Sequence, residues 1–219
     1  GQEAPFHYVL HDRRGESVVL EFDGGRLAVH DNPVGVLTNG PEFPWHLTNL
    51  GNYTGLSNAD RSSTTFGKLD VRQPDSGMAT ANLPASNTSV GRFVRAVFYA
   101  QFAEKPADPA HTIRPRAHIM TNFDRPKGIA ASASADEPGL EIEGLASGGS
   151  GLPTEFTSWT NLTDLNRSLF FVRTYYGLNY TMFDLAKLAA TDTLRLIPLS
   201  TLDGMAADGT ATLLGAKSG

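Results

Sequence analysis

The sequence predicts an α+β fold in which antiparallel strands are covered by helices. Three observations support this prediction. Short stretches of alternating apolar and polar residues open the chain, a segment with apolar residues at helical spacing follows a polar middle, and alternation resumes in the last third. Runs of strands and runs of helices, instead of a regular alternation of the two, are typical of the α+β class.

The first predicted elements are three strands of an antiparallel meander. Residues 6–11, 17–22 and 26–30 are rich in strand-forming residues, and turn-forming Asp, Asn and Gly separate them. The next stretch, GVLTNGPEFPWHLTNL at 35–50, places Asn39 and a glycine between apolar segments. Since both residues tolerate positive φ, the sequence predicts a hairpin turn here that continues the meander.

The middle of the chain predicts a polar excursion followed by helices. Residues 57–89 are rich in Ser, Thr, Asn, Asp and Pro, and we interpret them as a mostly irregular segment and a candidate assembly surface. Apolar residues recur at helical spacing in VGRFVRAVFYAQFA, which predicts a helix over 90–103 with Thr88 or Ser89 as its N-cap. A second helix is predicted over 112–122.

The last third predicts a loop and further strands. Residues 130–152 are small, acidic and glycine-rich, which indicates a flexible loop. Strands are predicted over 154–164 and 168–175, and residues 182–190 fit a strand or a short helix. The 219 residues are enough for one large domain with a substantial core.

Composition narrows the classes of function. The formal net charge is -5 and no run of Lys or Arg occurs, so no nucleic-acid partner is predicted. No apolar stretch is long enough to cross a bilayer, and no membrane partner is predicted. The chain has no cysteine, which excludes a disulfide, a thiolate metal ligand and a cysteine nucleophile on this chain. No nucleotide-binding motif is present, and no cofactor is predicted.

The histidines are interpreted as structural. His7 and His11 are four residues apart, but they alternate with apolar residues, which favours an exposed strand face over a metal site. His111 and His118 have no further ligand at metal spacing.

Two polar residues stay ambiguous when only their surroundings are considered. Asn39 fits a turn, and its side-chain NH₂ is also a neutral donor that can stabilise an oxyanion. Arg92 lies among apolar residues of the predicted helix, where a buried guanidinium would need a carboxylate, thiolate or oxyanion partner. An arginine that points to solvent is the alternative.

Five stretches together resemble one family. They occur in the same order as in that family and cover most of residues 6–188: FHYVLHDRRGESVVLEF, VHDNPVGVLTNGPEFPWHLTNLGNY, SVGRFVRAVF, IMTNFDRPKGI and TEFTSWTNLTDLNRSLFFVRTY. The resemblance is to the choloylglycine hydrolases, which include penicillin V acylases, conjugated bile salt hydrolases and N-acyl homoserine lactone acylases. It implies an αββα sandwich, with two antiparallel sheets between helical layers, and amide hydrolysis by an N-terminal cysteine whose own α-amine shuttles the proton.

The resemblance also implies roles for the two ambiguous residues. The asparagine of the family's LTN segment falls on Asn39, which would donate to the oxyanion. The active-site arginine of the family falls on Arg92 in SVGRFVR, where a cation close to the nucleophile would favour its thiolate. A purely structural role for both residues is the alternative.

One departure from the family determines the predicted partners. The family's nucleophile lies in its N-terminal half, whereas this chain has no cysteine and Gly1 cannot act as an N-terminal nucleophile. Residues 1–219 are therefore predicted to be the C-terminal portion of a single domain, inactive alone. The expected partners are an N-terminal segment that carries the cysteine and a small N-acylated substrate.

The resemblance leaves the substrate open. A penicillin V or acyl homoserine lactone acylase is preferred over a conjugated bile salt hydrolase, and a non-catalytic binding module of the same fold is the alternative of another class. A homo-oligomer is expected, and the compartment is left open.

Overall fold

A computed structural model of the chain describes residues 6–23, 25–108, 111–130, 154–190 and 194–204. The chain divides into two compact units, Gly1–Pro115 and Arg116–Gly219. Apart from its first residue, the predicted flexible loop at 130–152 lies outside the described residues. The assignment of residues 1–219 to a single domain stays a prediction.

A three-stranded antiparallel sheet opens the first unit. Its strands are β1 (Tyr8–His11), β2 (Ser17–Asp23) and β3 (Arg26–Asp31), in the spatial order β1-β2-β3. The predicted meander is thus confirmed, although β1 starts two residues later than expected. One face of the sheet is buried through residues such as Val19 and Glu21. The opposite face exposes five large apolar side chains: Tyr8, Leu10, Phe22, Leu27 and Val29.

The predicted hairpin at Asn39 is wrong. The chain instead passes through a cis Gly40–Pro41 peptide and enters α1 (Phe43–Asn49), which a 3-10 turn at Leu50–Tyr53 extends. A proline at the second helical position suits the first turn, where its missing N–H is not needed. Phe43 and His46 are three residues apart on one face of α1, and their burial outweighs the turn preference of the Asn-Gly pair.

The core of the first unit joins the sheet to its two helices. Val19 of β2, Val36 of the following loop, Phe43 of α1 and Phe93 of α2 (Ser89–Phe102) are its buried apolar residues. The Phe43 and Phe93 rings meet edge to face with centroids 6.3 Å apart. Full burial of such a side chain contributes about 1.5–3 kcal/mol, so this contact holds α1 against α2.

The main predicted helix is confirmed. α2 begins at Ser89, and the hydroxyl of its N-cap Thr88 accepts a hydrogen bond from the Gly91 backbone N–H at 3.2 Å. This cap satisfies one of the backbone donors that the first helical turn leaves without an intrahelical partner.

The polar excursion at 57–89 is more regular than predicted. It contains an antiparallel hairpin of β4 (Ser63–Phe66) and β5 (Leu69–Arg72), followed by a 3-10 turn at Met78–Thr80. Every residue of the hairpin strands is exposed, so no burial imposes the alternating pattern that would have revealed them. The suggested role of this segment in assembly stays a prediction.

The second unit is built on a second antiparallel sheet. α3 (Ile113–Thr121), which contains the boundary between the units, agrees with the predicted helix. β6 (Trp159–Asp164), β7 (Leu169–Thr174) and β8 (Thr181–Asp184) follow in the order β6-β7-β8. The segment 182–190 is both of the predicted elements in succession, since β8 runs into the short helix α4 (Leu185–Leu188).

Candidate active site

Asn39 lies in the loop between β3 and α1, and buried residues anchor this loop on both sides. Before it, the buried Asn32 side chain donates from Nδ2 to the Val36 carbonyl at 3.2 Å. Gly35 adopts φ +65°, a left-handed conformation that glycine tolerates best. After it, Phe43 is fully buried. Asn39 therefore has an exposed side chain on a backbone that the core holds in place.

Arg92 fixes the orientation of the Asn39 amide. Its guanidinium donates from Nη2 to Asn39 Oδ1 at 2.8 Å. Since a guanidinium can only donate, the amide oxygen must face Arg92 and the NH₂ group must point away from it. Among the described residues, nothing accepts a hydrogen bond from this NH₂ group. The structure thus brings together the two residues that the sequence predicts for the site, although they lie 53 positions apart.

Arg92 is held in place because the loop before α2 packs closely against the first turn of that helix. Its Nε donates to the Asn87 carbonyl at 3.1 Å, so the loop before α2 fixes one edge of the guanidinium. A Cβ on Gly91 would lie 2.4 Å from Ser86 Oγ and 2.7 Å from the Ser86 carbonyl oxygen. Since atoms cannot approach so closely, the loop reaches Arg92 only because residue 91 is glycine.

Arg95, one turn further along α2, is more deeply buried than Arg92 and is 8% exposed. Its guanidinium donates to the carbonyls of Pro84 and Ser86 at 2.8 and 2.5 Å, and to Asn87 Oδ1 at 3.1 Å. Carbonyl oxygens of the backbone and of the Asn87 side chain thus accept hydrogen bonds from the planar guanidinium of Arg95.

Ser89 and Thr38 connect the Asn39 backbone to the start of α2. The Ser89 hydroxyl lies 2.7 Å from the Asn39 carbonyl oxygen and 2.9 Å from Thr38 Oγ1. Thr38 Oγ1 in turn donates to the Ser89 carbonyl at 3.1 Å. Because a hydroxyl has one proton, Ser89 shares its proton between two acceptors of the segment that carries Asn39. The sequence suggested Ser89 only as a possible helix cap.

A pocket of about 210 Å³ lies beside the amide. Phe6, His7, Val9, Leu37, Thr38 and Asn39 line it. Apolar side chains form one part of its wall, and His7 and Asn39 supply polar groups. Such a lining suits a ligand that combines an apolar part with polar groups.

His7 differs from its predicted environment. The sequence indicates an exposed strand face for His7 and His11, and His11 is exposed as expected. His7, however, precedes β1 and lies in the pocket wall, with Nδ1 2.8 Å from Oε1 of the buried Glu21. Within the described residues, no group of His, Asp and Glu is arranged to hold a metal ion. In that same part of the chain, no helix is long and apolar enough to cross a membrane.

Glu21 joins the pocket wall to the start of α1. Both of its carboxylate oxygens accept from the Phe43 backbone N–H, at 2.9 and 3.1 Å. Its other carboxylate contacts are with two imidazoles, His7 at 2.8 Å and His30 at 3.6 Å. The residue is 3% exposed, so the hydrogen bonds from the Phe43 N–H replace water that the carboxylate would otherwise bind.

Replacing Glu21 by alanine should lower the free energy of unfolding by about 3 kcal/mol, because it removes a buried carboxylate and leaves the Phe43 N–H unpaired. Glu21→Gln should cost less, since an amide oxygen can still accept from that N–H. Urea unfolding followed by circular dichroism measures both effects. Glu16→Ala is the matched control on an exposed glutamate and should leave the unfolding midpoint unchanged. A Glu21→Ala midpoint equal to that of the control would contradict this account.

Comparison with known proteins identifies the family of this chain. The model of the linear amide C-N hydrolases, choloylglycine hydrolase family, matches residues 1–139. The bile salt hydrolase/transferase of Lactiplantibacillus plantarum is 29% identical over 172 residues, which is 78% of this chain and 48% of that protein. The conjugated bile acid hydrolase of Lactobacillus acidophilus is 38% identical over 96 residues, which is 43% of this chain and 30% of that protein.

Solved structures are similar as well. A crystal structure of a variant of conjugated bile acid hydrolase from Clostridium perfringens matches with a TM-score of 0.67 and 25% identity, over 83% of this chain and 50% of that chain. Penicillin V acylase from Agrobacterium tumefaciens matches with a TM-score of 0.59 and 24% identity, over 83% of this chain and 45% of that chain. This likeness concerns the fold alone.

These matches confirm the predicted α+β fold of the N-terminal-nucleophile hydrolases. The chain spans about half the length of the curated relatives it matches. The family model covers more than half of the chain and reaches into the second unit, and the structural match covers 83% of the chain. This protein chain belongs to the linear amide C-N hydrolases of the choloylglycine hydrolase family.

Proposed function

We propose that this chain contributes the oxyanion donor Asn39 and the arginine Arg92 to an amide hydrolase whose nucleophile is an N-terminal cysteine on a preceding segment. The contact between Arg92 and the Asn39 amide oxygen is the observation that carries the proposal. It directs the amide NH₂ away from the arginine, as an oxyanion donor requires. The cation also polarises the amide, which makes its N–H groups better donors.

The proposed reaction follows the chemistry of an acyl-enzyme. The cysteine thiolate attacks the amide carbonyl carbon, a C–S bond forms, and negative charge develops on the carbonyl oxygen. Asn39 Nδ2 donates to that oxygen. The C–N bond then breaks as the nucleophile's α-amine, which has taken up the proton of the thiol, delivers it to the leaving nitrogen. Water then attacks the thioester carbonyl, the C–S bond breaks, and the carboxylic acid and the free cysteine are released.

The exposed apolar face of the sheet β1-β2-β3 is evidence that another segment packs on this sheet. Five large apolar side chains on this face are at least 48% exposed, among them Phe22 at 64% and Val29 at 61%. A continuous exposed apolar face of this kind usually marks an interaction surface. The chain spans about half the length of the relatives it matches. We therefore propose that the preceding segment binds this face and that its strands cover it.

The proposed substrate is a small N-acylated amide. The apolar part of the pocket wall, formed by Phe6, Val9 and Leu37, suits an apolar acyl group. Two sets of substrates are candidates. The names of the similar bile salt and bile acid hydrolases point to conjugated bile salts. The family resemblance of the sequence motifs adds penicillin V and N-acyl homoserine lactones.

The test is hydrolysis by the protein together with its preceding segment. Penicillin V, an N-acyl homoserine lactone and a glycine-conjugated bile salt are incubated separately, and the released amine is quantified with an amine-reactive dye. We expect turnover of at least one substrate, and none by residues 1–219 alone. A folded assembly that hydrolyses none of the three would favour the alternative, a non-catalytic binding module of the same fold.

A further inference from the structure

His46 is a fully buried histidine beside the proposed oxyanion donor. It lies on the core face of α1, seven residues after Asn39. Its ring stacks on Phe93 of α2 with centroids 4.5 Å apart and planes inclined by 16°, and the Trp45 ring meets it edge-on. Packing on two helices therefore leaves the imidazole little freedom to rotate.

The polar contacts of His46 determine its tautomer. Nε2 lies 2.9 Å from the Asn39 backbone carbonyl oxygen. A carbonyl can only accept, so Nε2 must carry the proton. Nδ1 is buried and has no hydrogen-bond partner among the described residues. A proton on Nδ1 would create a buried charged donor without an acceptor, which is costly, so the ring is neutral with its proton on Nε2.

We propose that neutral His46 is a positioning residue for Asn39 in the reaction proposed above, an inference that rests on that proposed function. The His46 Nε2–H on α1 and the Ser89 hydroxyl on α2 both donate to the backbone carbonyl of Asn39. Arg92 holds the other end of the same residue through the side-chain oxygen. Separate donors thus fix the backbone carbonyl and the side-chain amide of Asn39. The side-chain NH₂ group is therefore held in one direction.

Fixing this direction has a kinetic consequence. An oxyanion donor is effective only when it already points to where the charge develops, so that no reorientation is needed during the reaction. The His46 contact acts on the backbone and does not reach the substrate. Its loss should therefore lower kcat through Asn39 and change KM little.

Two substitutions separate the hydrogen bond from the packing. His46→Leu fills the core but removes the donor, and it should reduce kcat about tenfold with KM nearly unchanged, the equivalent of one lost positioning hydrogen bond. His46→Gln keeps an N–H at similar reach and should restore kcat to within about threefold of the unsubstituted protein. His118→Gln, on an exposed histidine, is the control. A glutamine variant as slow as the leucine variant would overturn the proposal.

A second measurement does not depend on turnover. Imidazole ¹⁵N spectra of the unsubstituted protein with its preceding segment should show a protonated Nε2 and an unprotonated Nδ1 for His46 at pH 7. The signal that His46→Gln removes identifies the residue. An Nδ1–H tautomer or an imidazolium overturns this inference even if the protein is active. Absence of turnover with the expected tautomer overturns the proposed function instead.

Discussion

Asn39→Ala should lower kcat by about 10²–10³-fold while KM changes less than about threefold, as expected when a donor that acts mainly in the transition state is removed. The physical reason lies in the contact with Arg92, which occupies the amide oxygen and leaves the NH₂ group as the part available to a substrate. Initial rates of amine release, measured over a range of substrate concentrations with the preceding segment present, separate kcat from KM.

Asn39→Asp makes this test sharper. Aspartate keeps the shape of asparagine and can still accept from Arg92, but it has no N–H to donate and places a negative charge near the oxyanion. Its loss of kcat should therefore equal or exceed that of alanine. Asn52→Ala is the control, since Asn52 is an exposed residue whose side chain bonds only to Asn49 in the described structure. Full activity of Asn39→Asp would show that Asn39 merely shapes the loop.

Sequence periodicity predicted the elements whose burial imposes a pattern. The meander and α2 are predictable because one face of each is buried, through Val19 in the sheet and Phe93 in the helix. The hairpin of β4 and β5 is not predictable in this way because all of its strand residues are exposed. The sequence predicts a turn before α1 because the seven residues of α1 are too few for a clear helical period, whereas an Asn-Gly pair is a strong local signal.

The site could be predicted only in part, for a different reason. Spacing left Asn39 and Arg92 ambiguous, and the family resemblance selected them. The resemblance did not indicate that Arg92 binds the amide oxygen of Asn39, since contacts between residues 53 positions apart depend on the tertiary fold. Ser89 and His46 were missed because their partner is a backbone carbonyl, and no side-chain motif reveals such a partner.

Arg92 combines an observed role with an expected one, and two substitutions distinguish them. The observed role is to hold Asn39 Oδ1 and the Asn87 carbonyl at once, with Nη2 and Nε of one planar group. The expected role, implied by the family, is to favour the thiolate of the cysteine nucleophile by its charge. Lysine retains the charge, but its compact ammonium cannot reproduce the geometry of the fork. Methionine removes both the charge and the donors.

Arg92→Lys should reduce kcat about 10-fold to 10²-fold without moving the pH profile of kcat/KM, because the geometry of Asn39 is loosened while the cation remains. Arg92→Met should reduce kcat further and move the acidic limb of that profile to higher pH, since the thiolate loses a neighbouring cation. Arg14→Ala, on an exposed arginine of the first turn, should change neither quantity. If lysine and methionine lowered kcat equally and left the profile in place, Arg92 would act only through the orientation of Asn39. If lysine were fully active, charge alone would suffice, and the hydrogen bond to the amide oxygen would have no part in catalysis.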